Sequence, residues 1–247
     1  MDARIKSGHD VSICARSSGL RHMPLIDLTR AHSAEPSKDC PLCPRLVQFR
    51  KDNRKAHPDW FNGAVPSFGP ETARLLIVGL APGLKGANRT GRPFLGDYAG
   101  ELLYGTLLKV GLARGRHDPA APQELELVDC MISNAVRCVP PANKPTPEEV
   151  GNCRQFLAGR IHALPELRAI LALGRIAHDG LLDALQVRRR DVPFAHGARH
   201  VLPSGLLLFD SYHCSRQNTS TGRLTTPMFE TVVSEVAASL RGPPETG

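Results

Sequence analysis

Four side chains that could take part in catalysis or binding lie near the ends of apolar runs in this sequence, or in a loop that follows one. Asp97 is the one acid in the glycine-rich stretch 74–100, and Phe94 lies three residues before it. His213 follows the last apolar run, and Asn134 lies near the end of another. A carboxylate can stabilise a cation or orient water, and an imidazole can donate to developing negative charge. An amide can read the polar edge of a ligand, and an aromatic ring can stack on a base.

Each of these residues also has an ordinary structural explanation. Aspartate is a favoured helix N-cap, and Asp97 precedes a predicted helix, although a cap in a strand-end loop still faces a site there. His213 can be a hydrogen-bonded loop histidine, and Phe94 can anchor its loop to the core. Asn134 can be satisfied by its neighbours. The functional interpretation therefore depends on their shared position at strand ends.

The cysteine pattern predicts a metal or cluster site. The sequence has seven cysteines, an odd number, and a reducing compartment disfavours disulfides. A C-x2-C pair precedes two further cysteines that flank one loop, and four thiolates suit a [4Fe–4S] cluster or a structural zinc ion. Spacing alone does not choose between them. The candidate ligands are Cys40, Cys43, Cys138 and Cys153. Cys14 and Cys130 are interpreted as a tail thiol and a strand cysteine.

The lack of a long apolar run predicts a soluble intracellular protein, and the positive charge indicates either a polyanionic partner or a solvated basic surface. The chain has 247 residues, a net charge of +7 and a pI near 9.2. No apolar run is long enough to span a bilayer. We expect one domain over 40–241, with an extension over 1–39 and a tail over 242–247. Basic side chains fall in three loops: Lys85, Arg89, Arg92, Lys144, Arg216 and Arg223.

The apolar runs predict a three-layer α/β/α sandwich. Four runs are unbroken rather than alternating, as expected for parallel strands covered on both faces: 74–80, 130–136, 168–174 and 205–211. Helices are predicted over 98–113, after the capping box that begins at Thr146, over 175–187, and from Thr226 onward. Because ligands bind at the carboxyl ends of such strands, the loops 81–97, 137–145 and 212–223 should form the site. The sequence lacks a P-loop, a dinucleotide fingerprint and a nucleophile elbow.

Three ordered motifs resemble those of the family 5 (type B) uracil-DNA glycosylases. The segments 79–83 (GLAPG) and 86–97 (GANRTGRPFLGD) resemble the first motif of that family. The segments 134–145 and 213–225 are similar to its middle and last motifs. The four candidate cysteines match the iron–sulfur pattern shared with family 4.

The resemblance implies a fold, a cofactor and a reaction. The fold is a three-layer sandwich around a four-stranded parallel sheet, and the cofactor is a structural [4Fe–4S] cluster rather than zinc. The reaction is monofunctional base excision, in which uracil and other deaminated bases such as hypoxanthine are flipped out of DNA and removed hydrolytically. The product is an abasic site. We expect a monomer that acts on DNA in the nucleoid.

The resemblance also implies roles for individual residues. Asp97 would stabilise the sugar cation and orient water, and His213 would donate a hydrogen bond to the departing base. Phe94 would stack on that base, and Asn134 would bind its Watson–Crick edge. The other expected substrate contacts are Gly79, Ala81, Pro82 and Gly83. The expected DNA contacts are Lys85, Arg89, Arg92, Arg216, Gln217, Asn218 and Arg223, with Arg216 or Gln217 filling the gap in the base stack.

Two departures from related motifs affect this interpretation. Family 4 has a glutamate where Leu80 stands, so the catalytic burden moves to Asp97, as is typical of family 5. The last motif reads His-Cys-Ser-Arg over 213–216 instead of His-Pro-Ser-Pro, which predicts a more flexible loop. The alternative function is a non-catalytic nucleic-acid-binding module stapled by zinc. Asp97 and His213 on separate loops favour the enzyme.

Overall fold

The computed structural model describes residues 34–241, and the predicted strands and helices are present there. The strands are β1 Leu75–Gly79, β2 Ala113–Gly115, β3 Leu125–Leu127, β4 Cys130–Asn134, β5 Ala169–Leu173, β6 Arg199–Val201 and β7 Leu207–Ser211. The helices are α1 Pro44–Ala56, α2 Ala87–Thr90, α3 Tyr98–Val110, α4 Pro147–His162, α5 Arg175–Ala184, α6 Arg216–Ser220 and α7 Thr226–Leu240.

The central sheet has the strand order β4-β1-β5-β7-β6. The four strands that the sequence predicts are all parallel, and β6 adds an antiparallel edge beside β7. The expected four-stranded sheet is therefore extended to five strands. β6 was missed because it is short, lies at the edge, and exposes much of its surface, including 71% of Val201. It has no unbroken apolar run to mark it.

Helices cover both faces of the sheet, which confirms the α/β/α sandwich. On one face α3 and α7 bury a cluster that includes Leu103, Leu107 and Phe229. On the other face α4 and α5 bury a second cluster that includes Leu157 and Leu181. The parallel strands are therefore buried from both sides, which explains their continuous apolar sequences.

Local capping chemistry sets where these helices begin and end. The predicted capping box is present: the Thr146 hydroxyl accepts from the Glu149 N–H at 3.2 Å, and the Glu149 carboxylate accepts from the Thr146 N–H at 2.8 Å. α3 ends at Val110, earlier than the predicted 113, because Gly111 adopts φ = 82° and bonds back to the last turn.

The packed part of the chain begins before Cys40. Glu35 pairs with two buried arginines, Arg137 at 3.0 Å and Arg160 at 2.8 Å, so residues of the predicted extension contact the core. The rest of that extension, residues 1–33 with Cys14, and the tail 242–247 lie outside the described residues. Within 34–241 no helix is long and apolar enough to cross a membrane.

Candidate active site

Phe94, Gly79 and Asn134 meet at the carboxyl end of β1 and β4. Gly79 pairs with Asn134 across the two parallel strands. A Cβ on Gly79 would lie 2.6 Å from the Phe94 ring and 2.5 Å from Asn134 Oδ1, so a glycine is needed for both groups to approach. Phe94 holds a left-handed backbone with φ = 61°, and the start of α3 packs directly against its carbonyl at Gly100.

The side-chain oxygen of Asn134 is ready to accept a hydrogen bond. Asn134 is 3% exposed, and its Oδ1 has no hydrogen-bond partner among the described residues. A buried polar atom without a partner costs roughly 1–3 kcal/mol, so its retention calls for an explanation. A ligand that donates an N–H beside the Phe94 ring would satisfy it.

His213 faces the same ring from the end of β7. The His213 and Phe94 ring centroids are 5.8 Å apart with an interplanar angle of 25°. Burial lowers the pKa of His213 to about 4, so its imidazole is neutral at pH 7. Asn218 lines the neighbouring cleft, and its Nδ2 donates to the His213 carbonyl at 2.8 Å, so its role as a DNA contact stays a prediction. It holds the histidine loop in place.

Asp97 is both a helix cap and a site residue. Its Oδ1 accepts from the Gly100 N–H at 3.2 Å at the start of α3. Its Oδ2 occupies space that side chains at Gly83 and Gly86 would fill, at 3.0 and 2.5 Å from their ideal Cβ positions. Burial raises the pKa of Asp97, opposed by the hydrogen bonds from the backbone that it caps. The expectation that it serves as a cap is therefore confirmed, and one carboxylate oxygen remains turned toward the glycine loop.

The segment that follows His213 lies near Asp97. Burial, and then the charge of Asp97, raise the pKa of the Cys214 thiol, which is fully buried. The fold therefore brings the first and last motifs together, and Asn134 of the middle motif lies beside Gly79 of the first. Ala81 and Pro82 lie in the connection between β1 and α2, half-buried and buried respectively.

A cleft of about 480 Å³ is lined by His213 together with Leu80 and Asn218. Two arginines lie over aromatic rings at its walls: the Arg175 guanidinium is 5.4 Å from the Phe194 centroid, and that of Arg223 is 4.6 Å from the Tyr212 centroid. The sequence did not single out Arg175, because β5 passes straight into α5 with no intervening loop. Its signal was its position directly after Gly174 at a strand end.

The other predicted DNA contacts divide into exposed side chains and one half-buried side chain, that of Arg92. Lys85, Arg89, Gln217 and Arg216 are exposed, and the Arg216 guanidinium lies 5.7 Å from the Tyr98 centroid. Arg92 is directed inward: it donates to the carbonyls of Pro122 and Leu125, and it lies 3.5 Å over the Phe68 ring. Burial lowers the pKa of Arg92. Its contacts make it a link between the glycine-rich loop and the β2–β3 hairpin.

All four candidate cysteines line one apolar pocket together with Leu46, Ala64, Val136 and Phe156. Three of the sulfurs accept N–H···S hydrogen bonds. Cys153 accepts from the Arg137 backbone at 3.2 Å, Cys138 from Arg50 Nη1 at 3.5 Å, and Cys43 from Asn152 Nδ2 at 3.7 Å. Such donors are typical of metal-bound thiolates. Between residues 34 and 241 no three His, Cys, Asp or Glu side chains are arranged to hold a single metal ion.

Comparison with known proteins agrees with this geometry. The model of the uracil DNA glycosylase superfamily matches residues 66–237. A type-5 uracil-DNA glycosylase of Thermus thermophilus is 47% identical over 202 residues, which cover 79% of this chain and 91% of that protein. One from Pyrobaculum aerophilum is 35% identical over 225 residues, or 86% of this chain and 98% of that protein. The chain belongs to the type-5 uracil-DNA glycosylase family.

Membership of the type-5 family confirms the resemblance seen in the three motifs. A type-4 uracil-DNA glycosylase of Pyrobaculum aerophilum is 35% identical over only 161 residues, or 65% of this chain. The position where type 4 is expected to carry glutamate is Leu80, which lines the cleft beside His213. In this type-5 chain the carboxylate near the histidine loop comes instead from Asp97.

Proposed function

We propose that this chain excises uracil, and also hypoxanthine, from DNA by flipping the nucleotide out and hydrolysing its N-glycosidic bond. The observation that carries the proposal is Asn134 Oδ1, which lies beside the Phe94 ring without a hydrogen-bond partner among residues 34–241, with His213 facing that ring. An extruded base needs a stacking surface and partners for its Watson–Crick edge. The Phe94 ring and the Asn134 oxygen at the strand ends would supply them.

The free oxygen of Asn134 supports a preference for deaminated bases. Uracil and hypoxanthine each carry a ring N–H beside a carbonyl, and that N–H can donate to Asn134 Oδ1. Cytosine and adenine present an unprotonated ring nitrogen at the same place, which would leave two acceptors facing each other. A buried acceptor left unpaired discriminates strongly between such ligands.

The chemical step separates charge, and the two candidate catalytic residues address its two ends. Breaking the bond leaves positive charge on the sugar and negative charge on the base, as in the oxocarbenium-like state of glycoside hydrolysis. Asp97 would stabilise the sugar cation and orient water. His213 is neutral at pH 7 and can donate an N–H to the base oxygen. Each contribution is about 2–4 kcal/mol, the scale of one oxyanion-hole donor.

Pre-positioned guanidinium groups would hold the DNA backbone. Arg175 and Arg223 are each held over a ring at the cleft wall, so they present donors to phosphate at little ordering cost. Lys85 and Arg89 are exposed near the glycine-rich loop and extend the positive surface. Arg216, with Gln217 beside it, starts α6 and is the candidate to fill the gap in the base stack.

We further propose that the four-cysteine pocket holds a [4Fe–4S] cluster. Its apolar walls and N–H···S donors suit thiolates, and sulfurs spread around one pocket suit a polynuclear group better than one zinc ion. When bound, the cluster would supply a covalent crosslink rather than a chemical step. It would join the start of α1 to the β4–α4 connection and to α4, and so fix the chain that leaves Asn134.

The test is excision from labelled oligonucleotides, each carrying one uracil, hypoxanthine, cytosine or adenine, in single- and double-stranded form. We expect alkali-sensitive abasic sites from uracil and hypoxanthine only. An Asn134→Ala variant should lose excision and discrimination together. DNA binding without abasic sites, from a colourless protein, would refute the proposal and support the zinc-stapled binding module.

A further inference from the structure

Arg50 places a buried positive charge against the cysteine pocket. It lies on α1, two turns after Cys43, and its side chain is 4% exposed. Nη1 donates to Cys138 Sγ at 3.5 Å, and Nη2 donates to the Cys40 carbonyl at 3.0 Å. The guanidinium therefore contacts both halves of the ligand set, the C-x2-C pair and the β4–α4 connection.

The protein provides this charge with weak compensation. In the described structure Arg50 pairs with one carboxylate, Asp39, whose Oδ1 is 3.7 Å from Nε, and Nε itself has no hydrogen-bond partner. Asp39 is 65% exposed and pairs more closely with Arg54, at 2.5 Å. A buried guanidinium is costly unless a negative group lies beside it. The side of the guanidinium that faces the pocket contacts Cys138 Sγ and has no carboxylate partner in the described structure.

A thiolate-bound [4Fe–4S] cluster would supply negative charge on that side. In its oxidised form the cube carries 2+ and four thiolates carry 4−, so the whole group has a net charge of 2−. The other described donors to these sulfurs, the Arg137 backbone N–H and the Asn152 amide, are neutral groups. Arg50 is therefore the one side chain among the described sulfur donors that combines a charge with an N–H···S bond.

We propose that Arg50 is the counter-charge of the cluster, raising its reduction potential and slowing its loss. The proposal rests on the cluster assignment made above. Positive charge and hydrogen bonds at the sulfurs both favour the more reduced, more negative cluster. Removing them should shift the midpoint potential to lower values and weaken retention of iron. Arg50 acts through the cofactor and takes no part in base excision.

The matched variants are Arg50→Gln, Arg50→Lys and Arg54→Gln in the full chain, purified without oxygen. Arg54 lies one turn further along α1, pairs with the same Asp39, and donates to the Asn62 carbonyl instead of a cysteine. Iron and sulfide content, the midpoint potential at an electrode, and the decay of visible absorbance in an iron chelator are measured on each sample. Uracil excision is measured on the same samples.

Arg50→Gln should show a lower midpoint potential and several-fold faster loss of absorbance than the parent protein. Arg54→Gln should match the parent protein. Arg50→Lys keeps the positive charge but loses the two-pronged donor geometry of the guanidinium, so its potential and rate of loss should lie between those of the parent and of Arg50→Gln. An unchanged potential in Arg50→Gln, or an equal shift in Arg54→Gln, overturns the inference. If Arg50→Gln fails to fold, Arg50→Lys decides: a potential equal to the parent's overturns it. A parent protein without iron overturns the cluster and this inference, whereas excision in that sample judges the proposed function separately.

Discussion

The Asp97→Asn substitution separates helix capping by Asp97 from its proposed catalytic role, because asparagine can cap a helix but carries no negative charge. Asp97 caps α3 through the 3.2 Å bond from Gly100, and asparagine caps helices about as well as aspartate. Burial already raises the pKa of this carboxyl, so ionising it opposes folding at neutral pH, and a neutral amide should not lower stability. Asp97→Asn should therefore fold and bind DNA normally. It should lose about 10²–10³-fold in single-turnover excision, or about 2.7–4 kcal/mol.

Asp97→Ala should lose the cap as well. Its stability should fall by about 1 kcal/mol, which lowers the melting temperature by roughly 2–4 °C for a protein of this size. Thr225→Ala is the control, because Thr225 ends the last motif but caps α7 through a 3.4 Å bond from Met228 and is not among the proposed catalytic, substrate or DNA contacts. It should lose similar stability and keep its excision rate. Full single-turnover excision by Asp97→Asn would refute the catalytic assignment.

Three further changes test the surroundings of the site. Gly79→Ala places a methyl group 2.5 Å from Asn134 Oδ1 and 2.6 Å from the Phe94 ring. This overpacking should abolish most excision and lower the free energy of unfolding by roughly 1–3 kcal/mol. An unchanged melting temperature together with an unchanged single-turnover rate would contradict this expectation. Arg175→Gln should remove one phosphate contact and so reduce the slope of log K against log salt concentration for DNA binding by about 0.9. The matched change Arg190→Gln, at an exposed arginine, should leave that slope unaltered. Burial lowers the pKa of His178, but the hydrogen bond and the charge of Asp210 outweigh burial, so the pKa in the folded protein is raised. The His178–Asp210 pair therefore stabilises the folded protein fully below about pH 6.5, and this contribution is lost as the pH rises through the raised pKa. Thermal unfolding at pH 6 and pH 9 should therefore differ more in the parent protein than in His178→Gln, and equal differences would count against the pair.

The sheet was predictable because burial on both faces leaves unbroken apolar runs. The three loops of the predicted site followed from it, since parallel strands bring their carboxyl ends to one edge. Charge counting was less informative about individual side chains. Arg92 and Arg223 look alike in sequence, yet Arg92 is held by the Pro122 carbonyl and by Phe68, neither of them near it in the chain. Arg223 instead lies over Tyr212 at the open cleft. Only the tertiary packing of partners far along the chain decides between the two.

The glycines of the first loop explain why the site acid stands at its far end. Leu80 follows β1 directly, but it lines the cleft on the Arg175 side of His213, so an acid there would face the proposed phosphate contacts. Asp97 lies at the end of the same loop, after α2, and its carboxylate occupies the space that side chains at Gly83 and Gly86 would fill. The start of α3 fixes it there as a cap. One aspartate thus connects the start of a helix to the proposed reaction, and its placement there depends on the absence of side chains at Gly83 and Gly86.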